Sequence, residues 1–162
     1  MDTILLELTT IKGNSMIDQH ADKIIVDSFS HSVSLPISSD AANTERTLGR
    51  PSFSEFQFSK VTDQSTPALY GACASGAKLG DANVLVGRNE AGVFMLHMKY
   101  VLSNAMVSHI STGGGGGMSD SFSLSFTMIT AQYTQQKTTG DQQGTASFGW
   151  DLATNKDATP KT

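Results

Sequence analysis

A lone helix signal in a chain that otherwise reads as strands constrains the architecture most. Residues 62–76, TDQSTPALYGACASG, carry it. Ser65 or Thr66 can cap its start by accepting a hydrogen bond from a free backbone N–H. Pro67 suits the first helical position, where a missing N–H costs nothing. Leu69, Ala72 and Cys73 recur at helical spacing and form one apolar face. Gly76 suits the left-handed residue that ends a helix. A helix of about three turns is marginal alone in water, so this one must lie on a sheet. The expectation is a mainly β domain with one short helix packed on its flank through Leu69, Ala72 and Cys73.

The strands are legible as period-two alternation. Ile4 to Leu8 is a short apolar run before the turn-like Lys12-Gly13-Asn14-Ser15. Lys23 to Leu35 sets Ser28, Ser30, Ser32 and Ser34 against Phe29, His31, Val33 and Leu35. Ser52 to Lys60 alternates again. Ala82 to Val86 is a strand, and residues 87–92 suit a hairpin turn. Val93 to Ser111 is a very long extended stretch with a break near Ser103-Asn104. Ser119 to Tyr133 alternates until its apolar register moves to Ile129, Ala131 and Tyr133, as in a strand that bulges or crosses between sheets. Thr138 to Thr145 reads as a polar loop, and Ser147 to Leu152 as a last short strand around Trp150. About seven or eight strands with one helix indicate a small barrel or sandwich. One domain spans residues 1–155, and residues 156–162 form a frayed tail.

Two segments stand outside this pattern. Residues 36–51, PISSDAANTERTLGRP, have no periodicity, and a loop this long within one domain is usually functional. It is expected to contact another subunit, with Asp40, Glu45, Arg46 and Arg50 offering charged contacts. The run Gly113 to Gly117 is followed by a strand rather than a helix and lacks Gly-Lys-Ser/Thr, so it reads as a hairpin connection and not a phosphate loop.

Charge and motif narrow the function. A net charge of -4 without Lys/Arg clusters argues against nucleic-acid binding and membrane-surface binding. No apolar run approaches the ~20 residues of a membrane span. The first residues, MDTILLELTT, lack the basic start of a signal peptide, which points to synthesis in the cytoplasm. The single Cys73 forbids an intrachain disulfide. His20, His31, His97 and His109 form no metal-ligand spacing, and His31 reads as a half-buried, hydrogen-bonded residue. No GxSxG elbow or paired carboxylate pattern is present, so neither a catalytic residue nor a cofactor or metal site is expected. Ser28, Ser30, Ser32 and Ser34 make a smooth, neutral, wettable surface.

Four segments carry a resemblance. They are His20-Ala21-Asp22-Lys23-Ile24 leading into Phe29-Ser30-His31; Phe58 to Asp63 with Ser65-Thr66-Pro67-Ala68-Leu69 and the helix to Gly76; Val107 to Thr112 with the glycines after it; and Phe148-Gly149-Trp150-Asp151. In this order, with the K-x-x-D-x-S-T-P-x-L pattern of Lys60 to Leu69, the chain resembles the haemolysin-coregulated protein (Hcp) family of type VI secretion systems. It departs from the family in the 36–51 loop and in the all-glycine 113–117 turn. The resemblance implies a two-sheet β-barrel with a flanking helix. It implies homo-hexameric rings stacked into a hollow tube, propelled from the bacterial cytoplasm by a contractile sheath on a baseplate, with a spike protein at its tip and secreted effectors in its lumen. It also implies secretion without a cleavable signal peptide. On that reading Ser28, Ser30, Ser32 and Ser34 face the lumen and contact effectors. The alternatives are a phage-like tail-tube protein, a monomeric β-barrel module for a small ligand or glycan, and, more weakly, a hydrolase with an unrecognised site.

Overall fold

The structure, a computed structural model, describes residues 2–37, 48–136 and 142–160. Asp40, Glu45 and Arg46 of the expected inter-subunit loop lie outside the described residues. In chain order the strands before the helix are β1 (Thr3–Leu8), β2 (Ile24–Val26), β3 (Ser28–Ser30), β4 (Val33–Ser34), β5 (Ser52–Phe53) and β6 (Phe56–Val61). Helix α1 (Ser65–Ser75) comes next. After it come β7 (Ala82–Glu90), β8 (Val93–Ser103), β9 (Met106–Gly114), β10 (Met118–Ser125), β11 (Met128–Gln136), β12 (Gln142–Asp151) and β13 (Lys156–Asp157).

Two sheets form the body. A seven-stranded sheet has the order β13-β12-β11-β8-β7-β1-β2, and a four-stranded sheet has the order β3-β6-β10-β9. β4 and β5 make a separate two-stranded ribbon. The mainly β class with one helix is therefore as expected, although among the described residues the sheets do not join into one closed cylinder. The core lies between them, with Leu6, Ile24, Val84, Leu102 and Ile129 of the large sheet against Phe56, Phe58, Phe122 and Leu124 of the small one.

Three long extended stretches turn out to be corners. The chain leaves the large sheet after β8 and enters the small one at β9, and Asn104 at the corner has φ 54°. It returns between β10 and β11, where the sequence shows its change of apolar register. The stretch 23–35, read as one strand, is three: β2 in the large sheet, β3 in the small sheet and β4 in the ribbon. This breakage raises the strand count among the described residues to thirteen. The turn of the β7–β8 hairpin is confined to Ala91 and Gly92, both at positive φ as a tight two-residue hairpin needs. β12 begins earlier than expected, at Gln142 within the residues read as a loop. Lys156 and Asp157 pair with Asp151 and Trp150, so the start of the expected tail is tied to the sheet edge.

The helix holds the expected apolar contacts, with a different cap. Leu69 and Ala72 are buried in the core and Cys73 packs against it half-buried. Gly76 takes the left-handed conformation at φ 65°, and its N–H donates to the Ala72 carbonyl. At the other end, Asp63 Oδ1 accepts from the Ser65 N–H at 2.9 Å, and Thr66 Oγ1 accepts from the Asp63 N–H at 3.3 Å. Asp63 thus caps the helix in place of Ser65 or Thr66, because a carboxylate before the first turn meets the partial positive charge there. Pro67 falls third in the helix, still among N–H groups that lack an intrahelical acceptor.

Candidate functional site

The four-stranded sheet has two chemically opposed sides, and its register shows how the sequence makes them. Residues directly paired across strands share a face. One row runs Phe29, Phe58, Phe122, Ile110 across β3, β6, β10 and β9, toward the core. The Phe58 and Phe122 rings stack with centroids 5.0 Å apart. Flanking it on the opposite side are Ser28, Ser59, Ser121, Ser111 in one row and Ser30, Gln57, Ser123, His109 in the next. A shallow depression of about 320 Å³ lies on this side, lined by both rows except Ser111 and by Phe29, Phe58 and Phe122 between them. The pairing shifts between Ser123 and Leu124, leaving Ser108 as the extra residue of a bulge on β9. Ser108 is exposed beside His109 and donates to Glu55 Oε2 at 2.5 Å.

Beneath the inner side lies a buried ionic cluster. Lys60, Asp120 and Thr112 occupy the next inward-facing row. Lys60 Nζ donates to Asp120 Oδ2 at 2.6 Å, to Thr66 Oγ1 at 3.0 Å and to Asp63 Oδ1 at 3.1 Å. Asp120 also accepts from the hydroxyls of Thr62 and Thr112, each at 2.9 Å, and from that of Thr66. Lys60 is 0% and Asp120 1% exposed, so the charges must satisfy one another. Burial raises the Asp120 pKa, but the donors Lys60, Thr66, Thr62 and Thr112 outweigh it and bring it down to about 2. The residues of the K-x-x-D-x-S-T-P pattern therefore fasten the helix start to the sheet. Their role is structural, and their central partner, Asp120, lies outside the pattern.

The expected site residues separate into three groups. Ser28 and Ser30 lie exposed on the serine face. Ser32 and Ser34 are exposed too, but the shared strand face expected of all four is absent. Ser32 hydrogen-bonds to Ser54 beyond the end of β3, and Ser34 pairs with Ser52 in the ribbon. Arg50 donates to the Leu152 carbonyl of its own chain. Ser59, Ser111, Ser121, Ser123, Gln57 and His109 join Ser28 and Ser30 without having been singled out. The alternation of 119–127 carries the signal for Ser121 and Ser123; the others need the pairing register. His31 is half-buried as expected, and the hydrogen bond expected of it is not made by Nε2 among the described residues. Its ring stacks on Phe56 at 4.6 Å, and burial lowers its pKa.

Among the described residues no three His, Cys, Asp or Glu side chains are grouped to hold a metal ion. No described helix is long and apolar enough to cross a membrane. What the fold offers is an uncharged polar sheet face on a two-sheet β scaffold, the form of a component that binds or assembles. The match to known proteins is specific. Residues 5–133 match the family model described as type VI secretion system effector, Hcp, and the chain belongs to that family. Protein hcp1 of Pseudomonas aeruginosa is 32% identical over 112 residues, covering 64% of this chain and 67% of the relative. A solved type six secretion system protein superposes with TM-score 0.89 at 20% identity, over 97% of this chain and 99% of the other. Hcp1 from Salmonella typhimurium does so with TM-score 0.79 at 24% identity, over 96% and 98%. These two likenesses establish the shared fold.

Proposed function

We propose that the protein is the ring-forming subunit of a type VI secretion tube, a structural and carrier protein rather than an enzyme. The carrying observation is the four-stranded sheet: it is wet on one side, and it ends in β3 on one edge and the nine-residue β9 on the other. Unpaired edges present backbone N–H and C=O groups ready to pair with another chain. Joining the β9 edge of one copy to the β3 edge of the next is a heterologous contact, which closes into a ring when its rotation divides a full turn. Six copies related in this way would line a channel with their serine faces and leave the large sheets outside. Rings stacked on one another make the tube, effectors travel in its lumen, and the spike protein, sheath and baseplate act on the assembled tube. The protein then passes from the bacterial cytoplasm to the outside or into a target cell.

The ribbon supports a contact with another subunit. Val33, Leu35, Ile37 and Leu48 are all exposed on the stem of the 36–51 loop, where an isolated chain would leave four large aliphatic side chains in water. The apolar stem supplies the contact surface, with Asp40, Glu45 and Arg46 beyond it in sequence. Light scattering behind size-exclusion chromatography, at low and high salt, tests the proposal. The expected result is a ring mass in both buffers, because edge pairing and apolar contacts are weakly screened. A monomer mass at micromolar concentration in both overturns the tube reading and favours a monomeric binding module.

A further inference from the structure

The serine face also indicates the chemistry of what it holds. Within β3, β6, β9 and β10 the only fixed charges are Lys60 and Asp120, and both point inward to each other. The depression on the outer side is lined by Ser28, Ser30, Gln57, Ser59, His109, Ser121 and Ser123, whose hydroxyl, amide and imidazole groups donate and accept hydrogen bonds, together with Phe29, Phe58 and Phe122, whose rings belong to the core side. The polar side chains of this surface offer hydrogen bonds but no fixed charge as a counterpart to an ion. Among the described residues, one fixed charge is tied to the β9 bulge at the edge of these rows. Glu55, just before β6, is exposed, and its Oε2 accepts from Ser108 on the β9 bulge, the residue next to His109 in sequence. Asp27, at the far end of β3, faces a separate cavity with Ile25, Val61 and Asp63.

We propose that this face recognises a protein surface of uncharged hydrogen-bonding side chains that presents one basic side chain, lysine or arginine, to Glu55. The proposal rests on the face being the cargo-contacting surface of the tube subunit. The protein's net charge of -4 favours the same sign of partner at longer range. The serines supply weak, reversible contacts, and Glu55 supplies the discrimination, since an acidic group brought to it meets like charge without compensation. In a ring the carboxylate recurs in every subunit, so a modest preference per site is multiplied for a partner that touches several.

Three fluorescein-labelled peptides on one Ser/Asn/Gln frame test this, one uncharged, one bearing lysines and one bearing aspartates. Anisotropy is read with the full-length protein at low ionic strength. The lysine peptide is expected to bind at least about tenfold more tightly than the aspartate peptide. In Glu55→Gln that preference should fall to within about twofold, with an unchanged melting curve showing that the fold is kept. Equal or tighter binding of the aspartate peptide, no binding of the lysine peptide, or an unaltered preference in Glu55→Gln overturns the proposal. Light scattering on the same samples separates the two claims. A ring without charge preference refutes only the recognition chemistry, and a monomer that keeps the Glu55-dependent preference refutes only the tube.

Discussion

The two sides of the four-stranded sheet are made by the same strands and do opposite work. On the inner side, Lys60, Asp120, Thr62, Thr66 and Thr112 form a buried network in which every member needs the others. On the outer side, Ser28, Ser59, Ser121 and Ser111 lie in a row open to solvent, each replaceable without leaving a buried group unpaired. Alternation thus lets a six-residue strand such as β6 carry a fold-fixing residue, Lys60, next to an outward-facing one, Ser59. The inner side should be intolerant of substitution and the outer side permissive for folding, however much the outer side matters for binding.

Substitutions on the inner side should show the largest effects. Asp120→Ala leaves the Lys60 ammonium buried with Asp63 as its one remaining carboxylate, and breaking the shorter, fully buried pair should cost about 3–5 kcal/mol. Chemical denaturation should show that drop, and a shift under about 1 kcal/mol would mean water reaches Lys60 and the cluster is not dry. Leu69→Ala, which opens a cavity where the helix meets the core, should cost roughly 2–5 kcal/mol and make the proposed rings labile to heat. A melting curve equal to the parent's would show that the helix does not depend on that contact.

Acid tests the same cluster without mutation. The folded Asp120 pKa, about 2, lies below the ordinary aspartate value. Its stabilisation is therefore complete above the ordinary value of about 4 and is lost as pH falls from there through the folded pKa. The loss amounts to on the order of 2 kcal/mol across that window. Denaturation curves between those pH values should show the slope, and Asp120→Asn should flatten it. A slope that survives in Asp120→Asn would assign the acid sensitivity to another carboxylate.

The contrast between the two sides also explains what could be read in advance. Alternation within a strand is local, so the strands, the helix face of Leu69, Ala72 and Cys73, and the left-handed Gly76 were legible. The lysine-to-proline pattern was legible as a family mark, but its reason was not, because Lys60 meets Asp120 across 60 residues. The corner at Asn104 and the change of sheet before Ile129 left marks in the spacing. The breaks inside 23–35 left none, since Ser28 to Leu35 keeps perfect alternation while the backbone moves from one sheet to a ribbon. Placing Ser32 and Ser34 with Ser28 and Ser30 followed from that unbroken pattern. Finding Ser59, Ser111 and His109 beside Ser30 required knowing which strands pair, information no single strand carries.

The smallest effect is expected at the centre of the outer side. Ser121 lies on the interior strand β10 between Ser59 and Ser111, exposed, with the phenyl ring of Phe122 turned to the core beside it. Ser121→Ala removes one hydroxyl that water serves equally well in the unfolded chain, and β10 keeps its backbone ladder on both edges. Its stability should stay within about 0.5 kcal/mol of the parent, and its ring mass should be unchanged. Ser30→Gln, in the row with Gln57 and His109 on the edge strand β3, should likewise assemble while obstructing whatever the depression holds. A protein that loses its rings on either change would place the serine side within a subunit contact, and the division of labour between the two sides would have to be redrawn.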